Sequence, residues 1–276
     1  MKQIVSRVIS NEIISAEPHR SLGRPVAKTH LIWLENCAPI AAEAHPGQFI
    51  MAGCGDECVL RRPFSIHRVD NEGNLALLFS VLADGKGTNW LAQRKPGDNI
   101  DLLGPLGNGY SLYPKSRHLL VAGGIGIAPL YFLAQEGLRK ECSVILLFGT
   151  KKPDLLNRLL TKNPLPPEIK VATTSEEDTA DNKGRVTDLL TPELADWADH
   201  ILVSGPMPMY RDMYAQRETL LKSKPVQVSL EGIMGCGYGV CYGCTVKTRS
   251  GLKQVCSDGP VFDIEDILWD EIASEQ

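Results

Sequence analysis

The chain has 276 residues, of which 43% are hydrophobic and 22% charged, with a formal net charge of −4. That length and composition suit two domains, or three small ones, each with a real core, and the acidic balance argues against nucleic acid as the main partner. No window reaches the length of a membrane-spanning helix and no unbroken apolar run follows Met1-Lys2-Gln3-Ile4-Val5-Ser6-Arg7, so the chain is expected to be soluble and cytoplasmic, with reduced thiols.

Residues 1 to about 110 read as β structure. Alternating apolar and polar runs at 27–33, 48–51, 75–82 and 99–103 are separated by Pro46-Gly47, Asn71-Glu72-Gly73 and Pro96-Gly97. Strands at this spacing predict an antiparallel β-barrel, with 88–93 as its one helix. Within it, Leu60-Arg61-Arg62-Pro63-Phe64-Ser65-Ile66 can serve a flavin. Arg62 can bind a diphosphate oxygen, Phe64 can cover a ring and Ser65 can reach the ring's polar edge. An exposed strand arginine beside a turn is the plainer reading. Gly85-Lys86-Gly87-Thr88 places a glycine turn and a Thr N-cap before the helix, which is either an anion site or simply a cap. Gly104-Pro105-Leu106-Gly107-Asn108-Gly109 reads as the turn closing the barrel.

From about Lys115 the pattern becomes alternating strand and helix. An apolar strand, 117–122, runs into Gly123-Gly124-Ile125-Gly126-Ile127-Ala128, and Pro129 stands at a plausible first helical position of 129–140. Strand, glycine turn and helix make a dinucleotide-phosphate site, although the spacing is not G-x-G-x-x-G; tight packing is the alternative. Strands 143–148 and 200–203 end in Gly149-Thr150-Lys151-Lys152 and Ser204-Gly205-Pro206, so the ligand loops of a parallel sheet gather at one edge. Residues 153–167 and 173–184 read as a helix plus polar loops, with Ser175-Glu176-Glu177-Asp178 as solvated surface; Lys224-Pro225 reads as a linker.

The last fifty residues carry Cys236, Cys241, Cys244 and Cys256, spaced C-x4-C-x2-C with a distant fourth. That is the plant-type spacing for a [2Fe–2S] cluster: each iron takes two thiolates, and the interleaved glycines let N–H groups turn toward the sulfurs. Structural zinc is the alternative, but its ligands normally come as two short knuckles. Strand 226–230 enters the loop and a hairpin around Ser250-Gly251 returns the fourth ligand. Val261 to Trp269 mixes apolar and acidic residues and suits packing on its own domain, the favoured reading, or on a partner. Cys54 and Cys58 could begin a second knuckle, but with no further ligand pair they read as idle thiols, as do Cys37 and Cys142.

In this order, Arg62-Pro63-Phe64-Ser65, Gly87-Thr88, Gly123 to Pro129 and Gly205-Pro206 with Met209 resemble the ferredoxin–NADP reductase superfamily. Gly104 to Gly109 and the ending Cys256-Ser257-Asp258-Gly259-Pro260-Val261-Phe262-Asp263 point, within it, to the electron-transfer subunits of dihydroorotate dehydrogenase B. The resemblance implies an FAD-binding β-barrel domain (1–112), an NAD-binding α/β domain with a parallel sheet (113–225) and a small C-terminal [2Fe-2S] domain (226–276). It implies FAD held by Arg62, Pro63, Phe64, Ser65, Phe79, Ser80, Val81, Gly87 and Thr88. The nicotinamide dinucleotide would lie on Gly123, Gly124, Gly126, Ala128, Pro129, Gly205 and Pro206, and iron on the four cysteines. No side chain is assigned a catalytic acid, base or nucleophile role.

It further implies a catalytic partner subunit carrying FMN that oxidises dihydroorotate in pyrimidine synthesis, two of each subunit forming a heterotetramer. A ferredoxin, sulfide-dehydrogenase or hydrogenase-associated reductase subunit is the nearest alternative. Two departures stand out. Ser204 replaces the cysteine that often precedes Gly-Pro in this superfamily, and Ala83-Asp84-Gly85-Lys86 lengthens the approach to Gly87-Thr88. Lys151 and Lys152 offer a 2′-phosphate site or simply solvated charge.

Overall fold

The computed structural model describes residues 1–21, 24–177, 183–222 and 224–272. Its first half is an antiparallel sheet of eight strands: β1 (Lys2–Ser15), β2 (His19–Ser21), β3 (Arg24–Glu35), β4 (Phe49–Ala52), β5 (Arg62–Ser65), β6 (Arg68–Val69), β7 (Leu75–Leu82) and β8 (Asn99–Leu106). The order β5-β4-β8-β1-β3-β7-β6, with β2 beside β3, curls the sheet around a core that includes Ile32, Leu34, Ile50, Leu75, Leu77 and Leu102. Short helices α1 (Ala38–Ala41) and α2 (Lys86–Ala92) fill its ends. The long first strand is visible in composition only as general β character, because its exposed face also carries Val5, Ile9 and Ile13 and blurs the alternation.

The second half is a six-stranded sheet built from β9 (Arg117–Gly123), β10 (Ser143–Thr150), β11 (Lys170–Ser175), β12 (His200–Ser204) and β13 (Val226–Ser229), all parallel. After the hairpin β14 (Thr245–Thr248) and β15 (Gly251–Gln254), strand β16 (Val261–Asp263) joins β13 antiparallel at the edge. Helices α3 (Ile127–Arg139), α4 (Pro153–Lys162), α5 (Pro192–Trp197) and α6 (Met207–Ala215) complete it. The run Leu119-Leu120-Val121-Ala122 is buried throughout, as a strand covered on both faces requires. Polar Lys170–Ser175 is a strand and not the expected loop. It lies at the sheet edge against β10, where one covered flank is enough. Ser175 is buried there while Glu176 and Glu177 are exposed; Asp178 lies outside the described residues.

The halves share cores. Ile14, Leu31, Ala76 and Leu78 of the first sheet pack with Ile127, Leu130, Leu133 and Phe148, while Phe132 of α3 enters the barrel core. Helix α3 is therefore apolar nearly all round, as a helix buried between two layers must be. Strands β13 and β16 flank the cysteine segment on either side in the chain, so that segment emerges from the edge of the parallel sheet. The tail does not keep to its own domain as expected: Ile264, Ile267 and Trp269 are buried, with Trp269 against Tyr210 and Tyr214 of α6 in the preceding parallel-sheet region.

Candidate functional site

Three of the cysteines sit in the loop after β13 and the fourth follows β15. Cys241 is exposed, Cys236 half-buried, and Cys244 and Cys256 are buried. Their sulfurs fall into two pairs within hydrogen-bond reach, Cys236 with Cys241 and Cys244 with Cys256. Among the described residues, no three His, Cys, Asp or Glu side chains converge to hold a single metal ion. Two pairs of thiols match the two irons of a [2Fe–2S] cluster, each of which takes two thiolates.

Backbone donors meet the sulfurs: Tyr238 N–H reaches Cys236 Sγ at 3.5 Å, Gly239 N–H reaches Cys256 Sγ at 3.2 Å and Cys256 N–H reaches Cys244 Sγ at 3.4 Å. Burial opposes ionisation of Cys236, yet the N–H groups of Tyr238, Cys241 and Val240 bring its thiol down to about 6. The loop achieves this with Gly237 and Gly239 at φ near +87° and +88°. The donor set and the N–H groups fit a [2Fe–2S] cluster.

The loop is seated on the barrel. A Cβ at Gly237 would lie 2.5 Å from Met51 Cγ, and Met51 pairs across the sheet with Pro63 of the Arg62-Pro63-Phe64-Ser65 strand. One side chain therefore separates the cysteine loop from the flavin motif. On the far side, Asn108 donates its Nδ2 to the carbonyls of Ser257 (3.1 Å) and Asp258 (2.9 Å), and its N–H to Gly259 O at 2.6 Å. Gly107 lies so close that a Cβ would be 2.6 Å from Pro260. Strand β8 runs through Gly104 and Pro105 to Leu106, so the closing turn is 107–109, and it docks on the segment that carries Cys256.

At the flavin motif, Arg62 directs its guanidinium to the carbonyls of Leu60 (2.6 Å) and Arg61 (3.2 Å), with its stem against Gly87. Ser65 is half-buried. Phe64 departs from expectation: it turns into the barrel core and packs edge-on against Phe79 at 5.5 Å, so its ring is not free to cover a ligand. Phe79 and Val81 are also core residues, leaving only their backbone for a ligand, whereas Ser80 Oγ is buried without a partner. Thr88 is not the N-cap; Gly85 is, and the Thr88 hydroxyl accepts Leu82 N–H at 3.1 Å and donates to Gly85 O. Three residues into the helix, that hydroxyl braces the loop. The arginine and the orphaned Ser80 hydroxyl fit a polar, phosphate-bearing cofactor such as FAD.

The dinucleotide loops meet at the point where the order β11-β10-β9-β12-β13 reverses direction in the chain. A Cβ on Gly126 would sit 2.1 Å from Ser204 O, and one on Gly123 would be 2.8 Å from Pro206. Gly205 N–H donates to Tyr210 Oη, which donates to Ser229 O. Only Gly124 looks outward: its φ is +56° and a Cβ there would meet nothing within 4 Å. That open backbone fits close approach by a dinucleotide. Residues 124–126 form a 3₁₀ turn and α3 begins at Ile127, so Pro129 is the third helical residue; its missing N–H is harmless in the first turn. Ala128 and Pro129 are buried and serve the loop from beneath.

An iron-sulfur cluster binding domain of dihydroorotate dehydrogenase B matches residues 231–268, an oxidoreductase NAD-binding domain 120–214 and an oxidoreductase FAD-binding domain 41–110. The chain is 39% identical to the dihydroorotate dehydrogenase B (NAD(+)) electron transfer subunit of Desulforamulus reducens, over 86% of this chain and 92% of the relative. It is 36% identical to the corresponding subunit of Caldanaerobacter subterraneus, over 82% and 87%. The chain belongs to this family of electron-transfer subunits. Its fold is also that of a solved NADH-dependent reduced ferredoxin–NADP oxidoreductase, with a TM-score of 0.79 and 26% identity over 98% of this chain and 92% of that one. A ferredoxin reductase of carbazole 1,9a-dioxygenase shares the fold at a TM-score of 0.62 over 82% of this chain and 68% of that one. As a member of the family, the chain combines FAD-binding, NAD-binding and iron-sulfur domains, and its family name implies a catalytic partner subunit.

Sequence reading missed Met51, Asn108, Tyr210, His67 and Asn163. Asn108 was read only as part of the closing turn and the others lie in no motif; each matters through a neighbour distant in the chain. Cys54 is buried, its thiol pushed up to about 11 by burial and by nearby Cys58, and among the described residues no further ligands join the pair. Lys151 is exposed and Lys152 half-buried at the start of α4.

Proposed function

We propose that this chain passes electrons from a catalytic dihydroorotate dehydrogenase subunit to NAD+ in pyrimidine synthesis, the partner carrying FMN and the complex containing two of each subunit. The observation that carries this reading is the seating of Gly237 on Met51, one cross-strand neighbour from Pro63. An entry point and a flavin strand so close together suit a short electron path inside one chain. A bound flavin exchanges single electrons with an iron–sulfur centre and electron pairs with nicotinamide.

The chain's own residues hold and orient. Cys236, Cys241, Cys244 and Cys256 would ligate the irons while Tyr238 and Gly239 N–H groups spread the negative charge. Arg62 would neutralise the FAD diphosphate. Gly87 would admit the cofactor close to the backbone, and Ser65 and Ser80 would offer hydroxyls to its polar edges. Gly123, Gly124, Gly126, Gly205 and Pro206 would let the dinucleotide meet the ends of β9 and β12. No acid, base or nucleophile is assigned.

The partner would dock where electrons enter. Tyr238, Val240 and Tyr242 of the cluster loop are exposed, and Val59 and Leu60 of the barrel stand out beside them; Leu60 Cδ1 lies 4.0 Å from a Cβ placed on Gly235. A contiguous apolar patch of this kind marks a protein contact. The test is co-expression with a dihydroorotate dehydrogenase catalytic subunit and anaerobic purification, followed by assay of dihydroorotate-dependent NAD+ reduction with iron and flavin counted. Turnover with about two irons and one FAD in this chain supports the reading. Iron and FAD without turnover would move the partner to ferredoxin, sulfide or hydrogen chemistry.

A further inference from the structure

His67 lies two residues beyond Ser65 of the flavin motif, and its backbone N–H donates to Ala76 O of the barrel at 2.9 Å. Its side chain is wholly buried yet points out of the barrel. Nδ1 lies 2.8 Å from the carbonyl oxygen of Ala128, in the first turn of α3, and Nε2 lies 2.9 Å from Asn163 Nδ2 at the end of α4. Asn163 Oδ1 in turn accepts from Arg68 Nη1, and the Arg68 guanidinium lies over the rings of Tyr131 and Trp33 at 4.9 and 5.3 Å.

The directions of these bonds are forced. Arginine only donates, so Asn163 presents its oxygen to Arg68 and its NH2 to His67. His67 Nε2 must then accept, which leaves the proton on Nδ1 aimed at the Ala128 carbonyl. The imidazole is neutral and held in one tautomer by a chain that runs Arg68 to Asn163 to His67 to Ala128. Among the described residues this chain links the strand after the flavin motif to the helix that carries the 123–126 loop.

We propose that His67 is a positioning residue for the nicotinamide dinucleotide: its Nδ1–H fixes the start of α3, and so the 123–126 loop, relative to the flavin strand. This rests on the reading that the loop binds NAD(H). Packing of α3 and of the 124–126 turn on β7 also joins the halves, but that apolar contact can slide, whereas the directional His67 bond fixes where α3 begins.

The two ring nitrogens can be tested separately. His67→Asn keeps a donor near the Nδ1 position and loses the reach to Asn163. His67→Gln keeps the reach to Asn163 and loses the donor to Ala128. With full-length chain carrying FAD and cluster, NAD+ affinity is measured by calorimetry, and amide hydrogen exchange over residues 124–128 is measured without dinucleotide. His67→Gln is expected to weaken NAD+ binding about tenfold, the loss expected of one buried hydrogen bond, and to raise exchange in the loop, with FAD content unchanged. His67→Asn is expected to stay within about threefold of wild type.

Asn163→Ala, which frees the tautomer without touching His67, should weaken binding in the same direction by less and serves if the His67 variants fail to fold. Equal losses in both His67 variants, or wild-type affinity in His67→Gln and Asn163→Ala, overturn the proposal. A wild-type chain that binds no NAD+ sinks the dinucleotide reading instead. Loop exchange then still decides the clamp: exchange equal in wild type and His67→Gln overturns it.

Discussion

Around the cluster cysteines the chain is local: three of the four proposed ligands lie between positions 236 and 244, and the N–H groups facing the sulfurs come from Tyr238, Gly239 and Cys256 of the same segment. Around the dinucleotide loop almost nothing is local. Gly126 is shaped by Ser204 O, Gly123 by Pro206, and Ala128 by His67, so positions far apart in the chain share one small volume. A segment that supplies its own ligands can be read and broken one residue at a time. A cleft assembled from several elements fails through its packing, and its failures spread.

Removing one ligand gives the largest contrast. Cys241→Ser removes one of the two thiolates from the iron that Cys236 and Cys241 would hold, and is expected to abolish electron delivery from the partner with loss of bound iron. NADH oxidation with a direct flavin acceptor such as ferricyanide should stay within about twofold of wild type, because each bond of the dinucleotide loop lies outside the cluster segment. If both activities fell together, the two regions would not be separable. Gly126→Ala should act in the opposite sense. Its Cβ would collide with a backbone oxygen, which cannot swing away as a side chain does. A loss of about 1–3 kcal/mol in stability is expected, with NAD+ affinity reduced more than iron or FAD content, as measured by denaturant unfolding and calorimetry. Unchanged NAD+ binding would mean that the loop is not the dinucleotide site.

A more gradual effect is read by pH at the dinucleotide side. Burial holds the His67 imidazole at about 4, below the 6.5 of an exposed histidine, despite the bond to Ala128. The unfolded chain therefore takes up a proton below about 6.5 that the folded chain refuses. This contribution to stability is complete above that pH and is lost as pH falls toward 4. Lowering the pH from 7 to 5 should cost about 2 kcal/mol through this group. His67→Asn should remove that part of the pH dependence in denaturant melts. An unchanged slope would contradict a buried neutral imidazole.

The same contrast explains what could be read in the sequence. C-x4-C-x2-C is an arrangement of ligands along the chain, so spacing alone reached the cluster. Gly123, Gly124 and Gly126 were legible because a strand, a turn and a helix follow one another there. Their duties were not: Gly126 and Gly123 serve close packing, and Gly124 alone stays open. Phe64 and Thr88 match a motif by type, but packing turned one into the core and spent the other's hydroxyl on the loop. His67 and Asn163 carry no signal in sequence, since their meaning is a contact across 96 positions. Lys170–Ser175 was missed as a strand because a polar edge strand lacks the apolar run that marks its neighbours.

The most direct test of a continuous path from dinucleotide to cluster is an anaerobic titration of the full chain, loaded with FAD and iron, with NADH as the only reductant. The flavin is expected to bleach, and the low-temperature electron paramagnetic resonance signal of a reduced [2Fe–2S] centre then to appear, at up to one spin per chain. A flavin that bleaches while the cluster stays oxidised and silent, yet is reduced by dithionite at a comparable potential, would contradict the continuous path.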